Sequence, residues 1–427
     1  MSTTLYIPGE ATARALGAEA VAQAVIAEAG RRNESVRIVR NGSRGAFWLE
    51  PLIEVQTPQG RTAYGPVRAK DVGGLFAAGF LQGKPHPLAL GPAAEIPYLK
   101  KQERLCCARL GVIDPLSLDD YRAHGGYAGL QAALAMAPAQ IVQAVTDSGL
   151  RGRGGAAFPT GIKWRTVLNA PVTAAAQKYI VCNADEGDSG TFSDRLLMEG
   201  DPFCLIEGMT IAGLAVGATR GYIYLRWEYP HAHAALLSAI ASARAQGFLG
   251  ADVQGSGKAF ELEVRLGAGA YICGEETSLL ESLEGRRGQV RFKPPLPAIA
   301  GLFGCPTVIN NVITFASVPT VLERGAAYYR DFGVGRSRGS LPIQLAGNIA
   351  RGGLVEKAFG SPCGNCCTIL AAAPARAGRY GPCRSAGRWG HTGPSQNSTR
   401  RSTTKPSRRA GACSVMAAWW CSTIPLI

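Results

Sequence analysis

The sequence has no acidic residue after Glu356, no cysteine before Cys106, and no apolar run approaching the roughly 18 residues of a membrane span. The last absence argues against a transmembrane helix and direct membrane insertion. The missing cysteines exclude a thiolate-held iron–sulfur cluster in the first hundred or so residues. The opening stretch, MSTTLYIPGEATARALG, lacks a basic segment followed by an apolar core. It does not read as a secretory leader, so the cytoplasm is the expected location. The absence of late acidic residues explains much of the charge. The formal net charge is +14 over 427 residues, but nine of the 45 basic residues lie after residue 360. The other 36 face 31 acidic residues. A body so nearly balanced argues against a nucleic-acid partner, which would call for a basic face on a folded domain. Six of the 12 cysteines and three of the six tryptophans also follow residue 360, so composition breaks there.

What is present reads as an α/β protein. In residues 1–100, TLYIP and SVRIVRNG are strand-like, with a helical Ala/Val/Ile pattern over 18–29 between them. AFWLEPLIEVQTPQGRTAYGPV supplies two further strands around a Gly turn. Residues 101–140 read as a helical linker. Over 141–325, strand-like KYIVCNA, RGYIYLRW and FELEVRLG alternate with helical stretches. That pattern predicts a Rossmann-like domain with a parallel sheet. LPIQLAGNI and GLVEKAFG, within 326–359, read as paired strands opening a small β domain.

Four segments carry candidate chemistry. GLRGRGGAAFPTGIKW holds Gly152, Arg153, Gly154 and Gly155 and then Lys163. Glycines let backbone N–H groups converge on a phosphate, and a lysine supplies a point charge. CNADEGDSGTF places Asn183, Asp185, Glu186 and Asp188 just past a strand, where open α/β sheets bind ligands. GAGAYICGEETSLLESLEG puts Gly274, Glu275 and Glu276 at a strand-to-helix junction. RFKPPLPAIAGLFGCPTVINNV offers Lys293, Asn310 and Asn311. Taken singly, these are a flexible turn, a capped polar turn, ordinary helix-start carboxylates and an amide pair.

In this order and spacing, the four segments resemble the flavin-binding subunit shared by respiratory complex I, bidirectional hydrogenases and NAD-dependent formate dehydrogenases. The resemblance runs over roughly residues 140–360. RNGSRGAFWLEP, LALGPAAEIPYLKKQ and DPLSLDDYRAHGGY resemble the soluble formate dehydrogenase branch in particular. The resemblance implies a thioredoxin-like N-terminal domain without cluster ligands, a Rossmann-like FMN-binding domain and the start of a β-grasp (ubiquitin-like) domain.

By position, it also implies that Gly152, Arg153, Gly154, Gly155 and Lys163 hold the FMN phosphate and flavin. Asn183, Asp185 and Glu186 would hold the ribityl chain and ring, with Gly274, Glu275, Glu276, Asn310 and Asn311 completing the pocket. Phe158 would stack on the adenine of NAD(H), and Glu276 and Lys293 would orient the dinucleotide. Glu186 and Glu276 are the carboxylates expected nearest the chemistry, a hydride transfer between NAD(H) and FMN. No metal ligand set is expected among the site residues. Asp188 replaces a glutamate common in complex I members, and Thr166 and Leu296 replace aromatic rings that some members place against NAD(H).

The implied partners are a molybdenum/iron–sulfur catalytic subunit and a small iron–sulfur subunit of one formate dehydrogenase. The alternatives are a hydrogenase or complex I diaphorase subunit, or an inactive truncated subunit. The family also carries a four-iron four-sulfur cluster on a Cys-Gly-x-Cys-x-x-Cys motif. Here Cys363, Cys366 and Cys367 come too early and with the wrong spacing, so that motif is absent even with Cys383 nearby. Back-translation of the tail with GC-rich codons, read in a shifted frame from near Phe359, yields stretches resembling the family's β domain. Residues 360–427 are therefore expected to be an aberrant, disordered tail.

Overall fold

A computed structural model describes residues 2–171, 177–347 and 349–361, together with the backbone of three short strands further on. The N-terminal unit is a five-stranded sheet of β1 (Thr3–Tyr6), β2 (Val36–Val39), β3 (Ile53–Thr57), β4 (Gly60–Tyr64) and β5 (Ala89–Pro92) in the order β2-β1-β3-β4-β5. β1 and β2 run parallel, joined by the helix Ala18–Arg32, and β3, β4 and β5 follow antiparallel. That helix buries Val21, Ala22, Val25 and Ala29 on one stripe, against Leu5, Ile53 and Val55 of the sheet.

The central sheet comprises β6 (Tyr179–Ala184), β7 (Arg220–Leu225), β8 (Glu261–Leu266) and β9 (Thr307–Asn311), all parallel, in the order β8-β7-β6-β9. Both its faces are covered, which is why Ile180, Val181 and Cys182 form an unbroken buried run in β6. The helix Pro202–Val216 is buried along its whole length and forms the centre of the largest core. The chain winds from β6 through β7 to β8 on one side and then returns to the other side of β6 as β9. A switch point therefore opens between the carboxyl ends of β6 and β9.

Residues 101–140 pack against the central domain. Leu105, Leu110, Ile113, Leu118, Tyr121, Tyr127, Leu130 and Ala133 belong to the same core as the central domain. Buried Glu207, in the middle of the helix Pro202–Val216, fastens them. It accepts the N–H groups of Tyr127 (2.8 Å) and Leu130 (2.9 Å) and the hydroxyl of Tyr121. Tyr127 also stacks on Phe248, with ring centroids 3.7 Å apart. Sequence periodicity shows helices there, but not that their apolar stripes match a neighbouring domain.

Beyond the hairpin of β10 (Gly333–Val334) and β11 (Ser337–Arg338), strands β12 (Ser340–Gly347) and β13 (Gly353–Ala358) pair antiparallel as expected. They pack on the N-terminal unit. Leu341, Ile343, Leu345, Val355 and Phe359 share a core with Leu49, Leu52, Ala63, Ile96 and Tyr98. In place of a tail without regular structure, three short strands extend this sheet: β14 (Cys383–Ala386), β15 (His391–Gly393) and β16 (Ala418–Cys421). The rest of the tail, including Cys363, Cys366 and Cys367, lies outside the described residues. So does the side chain of Cys383. Among the described residues, no helix is long and apolar enough to cross a membrane.

Candidate cofactor cleft

A cleft of about 640 Å³ opens at the switch point. Its walls come from all four sequence segments, which are spread over residues 152–311 of the chain. Fourteen of the 16 expected site residues line it: Gly152, Gly154, Gly155, Phe158, Lys163, Asn183, Asp185, Asp188, Gly274, Glu275, Glu276, Lys293, Asn310 and Asn311. Thr166 and Leu296 line it too, so their positions present no ring to a ligand.

Strand register builds the polar end. Asn183 of β6 pairs with Asn311 of β9, which places the amides at neighbouring carboxyl ends of the sheet. Asn183 Nδ2 donates to the Gly274 carbonyl (2.8 Å), tying β6 to the turn before the next helix. Asn311 Nδ2 donates to Asp194 (2.6 Å), and Asn310 Oδ1 accepts from the Trp164 indole (3.0 Å). Asp185 is left with a buried carboxylate oxygen, Oδ2, that has no hydrogen-bond partner. Burial pushes its carboxyl up to about 6, with Arg226 opposing and Glu228 adding to the rise.

The opposite wall is a ladder of alternating charge. Glu275 caps the helix Glu276–Leu283, accepting the N–H groups of Thr277 (2.8 Å) and Ser278 (3.0 Å). Lys293 Nζ bridges Glu275 (3.0 Å) and Glu276 (2.8 Å). Lys163 Nζ lies 3.5 Å from Glu276 and donates to the Ile309 carbonyl (2.8 Å). Burial works against ionising Glu275, but its donors from Thr277, Ser278 and Lys293 outweigh it and hold the carboxyl at about 2. Burial likewise opposes the charge on Glu276, yet Lys163 and Lys293 keep its carboxyl below the usual range. The Lys163 ammonium is lowered by burial, with Glu276 pulling the other way.

Two expected residues do not face the cleft. Arg153 is buried and points its guanidinium away, to the Tyr329 hydroxyl (2.8 Å) and the Arg338 carbonyl (2.6 Å). Glu186 is 2% exposed and turns inward. It accepts the N–H groups of Asp194 and Arg195 (both 3.1 Å) at the start of the helix Ser193–Gly200, along with the Tyr229 hydroxyl (3.1 Å). A carboxylate at a helix N-terminus is stabilised by the helix dipole, and there Glu186 ties the cleft loop to the helix Ser193–Gly200.

Sequence reasoning also missed Tyr271. Its ring lines the cleft and its hydroxyl donates to Asp188 Oδ1 (2.6 Å). The signal was an aromatic residue in the GAGAYICGEE segment, directly before the polar junction. Gly187 is required beneath it, since a Cβ there would sit 2.8 Å from the Tyr271 ring.

These features suit a phosphorylated flavin and a dinucleotide. In the glycine loop the Gly152 N–H donates to the Phe158 carbonyl (2.9 Å) and that of Arg153 to Thr314, which leaves those of Gly154 and Gly155 for a phosphate; a Cβ on Gly154 would press to 2.9 Å from the Asn311 Cβ. Asp185 Oδ2 is an acceptor without a hydrogen-bond partner, which suits a ligand hydroxyl. Phe158, 48% exposed at the mouth, offers a ring face to a base.

Comparison with known proteins agrees with this geometry. Residues 145–320 match the family model of the Nuo51 FMN-binding domain. The NADP-reducing hydrogenase subunit HndC of Solidesulfovibrio fructosivorans is 50% identical over 261 residues, which is 61% of this chain and 52% of that protein. An NADH-quinone oxidoreductase subunit of Aquifex aeolicus is 48% identical over 240 residues, covering 56% of this chain and 55% of that one. An NAD+-reducing [NiFe]-hydrogenase, solved in its H2-reduced state, superposes with a TM-score of 0.62 at 27% identity. That match covers 98% of this chain and 68% of the hydrogenase chain. The chain spans a little over half the length of these curated relatives.

The central domain is therefore of the Nuo51 FMN-binding class. Over this domain the chain is similar to subunits of an NADP-reducing hydrogenase and of NADH-quinone oxidoreductases, a likeness that supports FMN and NAD(H) as its cofactors.

Proposed function

We propose that this chain binds FMN and NAD(H) in one cleft and serves hydride exchange between them, as the flavoprotein subunit of a larger electron-transfer complex. The observation that carries the reading is the convergence of all four sequence segments on the β6/β9 switch point. In this reading the bound flavin would supply redox chemistry, accepting an electron pair and releasing electrons singly to iron–sulfur partners. The chain's own residues bind, orient and tune. The N–H groups of Gly154 and Gly155 hold the phosphate, and Asp185 accepts from the ribityl chain. Asn183, Asn310 and Asn311 fix the polar edge. Phe158 packs against the adenine. Lys293, locked between Glu275 and Glu276, directs the dinucleotide, and Glu276 is the carboxylate nearest the reacting groups.

The finer reading is a soluble NAD-dependent formate dehydrogenase whose partners carry molybdenum and iron–sulfur centres. It rests on the N-terminal segments RNGSRGAFWLEP and DPLSLDDYRAHGGY. The N-terminal unit, with two parallel strands joined by a helix and then antiparallel strands, fits a thioredoxin-like docking domain lacking cluster ligands. A hydrogenase diaphorase subunit is the second reading, favoured by the likeness to HndC and to the NAD+-reducing hydrogenase. The discriminating experiment isolates the complex with its partner subunits and asks which donor reduces its flavin. Reduction by formate and not by hydrogen supports the first reading. The reverse result replaces it with the second.

A further inference from the structure

The glycine loop has two faces. Gly152, Gly154 and Gly155 line the cleft, while Arg153, between them, is 4% exposed and reaches the other way. Its Nη2 donates to the Tyr329 hydroxyl (2.8 Å) and to the Arg338 carbonyl (2.6 Å). Its guanidinium carbon stands 4.6 Å from the centroid of the Phe359 ring. The backbone N–H of the same residue donates to Thr314 Oγ1 (2.9 Å). At the loop's entry, the stem of Arg338 packs over Gly149, where a Cβ would lie 2.8 Å from Arg338 Cγ and φ is +69°. The cofactor loop is thus gripped from behind by the segment 329–359, none of whose described residues lines the cleft.

Arginine is suited to this place. Its planar fork satisfies two oxygens at once while its face lies on a ring, which a lysine cannot do. The partners it has among the described residues are neutral, and its Nε and Nη1 have none. Its positive charge is therefore left uncompensated, inside the loop that presents N–H groups to an anion. A loop with glycines at 152, 154 and 155 would otherwise be free to move, and ordering it on binding would weaken affinity.

We propose that Arg153 is a positioning residue, locking the phosphate-binding loop onto the C-terminal strands so that this segment sets the chain's preference for phosphorylated over unphosphorylated flavin. The proposal rests on the FMN reading of the cleft. The loop would grip the phosphate alone, so its disorder should penalise FMN and spare riboflavin.

The test is titration of the full-length chain with FMN and with riboflavin, followed by flavin fluorescence, for the wild type, Arg153→Lys, Arg153→Met and Phe359→Leu. We expect both Arg153 variants to bind FMN about tenfold more weakly or worse, the loss typical of one charge-assisted contact, with riboflavin affinity changed less than about twofold. Lysine should not rescue. Phe359→Leu keeps the hydrogen bonds and most of the buried volume, so it stays informative if the Arg153 variants fail to fold. It should show a smaller loss of the same selective kind. FMN and riboflavin weakening in parallel, or an unchanged FMN affinity, would overturn the proposal. A wild-type chain that binds neither flavin would instead overturn the reading of the cleft.

Discussion

Asp185 gives the sharpest handle on the cleft. Its Oδ2 is buried without a partner, and burial has pushed its carboxyl up to about 6. In the cofactor-free chain it is half protonated near that pH. If it accepts from a ribityl hydroxyl, the bound state favours the carboxylate and lowers its pKa. FMN affinity should then be full above about pH 7 and fall as pH drops through 6, approaching tenfold per unit below it. Replacing the acceptor by Asp185→Asn should weaken FMN binding by about 1.5–3 kcal/mol, roughly 10- to 150-fold, the cost of losing a hydrogen bond to a charged group. It should also flatten the pH dependence between about 5 and 7. The assay is FMN titration at several pH values for both chains. A pH slope in Asp185→Asn as steep as that of the wild type would refute the reasoning, since the FMN phosphate, which also ionises at about pH 6, contributes equally to both chains. So would affinity that falls as pH rises, because the protonated carboxyl would then be the donor.

Other perturbations follow from the same contacts. Glu199 sits where the helix Ser193–Gly200 meets the N-terminal unit. It accepts the Ala11 N–H (2.7 Å) and is pushed up to about 7 by burial, against the pull of Arg195. With the folded value above the unfolded one, its contribution to stability is present at low pH and lost as pH rises through 7. Glu199→Gln should therefore raise the melting temperature at pH 8 more than at pH 5 in a thermal scan. Glu207→Ala should destabilise the chain by about 3 kcal/mol in urea unfolding, because the donors from Tyr121, Tyr127 and Leu130 lose a buried acceptor. Gly154→Ala should weaken FMN binding with little change in melting temperature, since the added methyl presses on Asn311 at the cleft.

Much of this was legible in the sequence, and for physical reasons. Strand-like runs such as KYIVCNA are long and unbroken because parallel central strands are buried on both faces. Glycines and carboxylates directly after such strands mark where a ligand can reach the backbone. The direction of single side chains was not legible. Arg153 and Glu186 stand in the right segments, but the loop turns one toward Tyr329 and the other toward a helix start. The packing of residues 101–140 against the central domain was not legible either, since a buried acceptor in a distant helix, Glu207, leaves no trace in local periodicity. Tyr271 carries little sign of its place in local sequence, because an aromatic residue next to a short helix more often belongs to a core. Here its 64% exposure places it at the cleft mouth.

The central claim is that one cleft brings FMN and NAD(H) together for hydride exchange. Its most direct test is the visible flavin absorbance of the FMN-loaded chain, recorded anaerobically before and after NADH is added. Bleaching of the flavin band by a stoichiometric amount of NADH is the predicted result. A chain that holds FMN but is left oxidised by NADH would contradict the claim, and with it the dinucleotide roles of Phe158, Glu276 and Lys293.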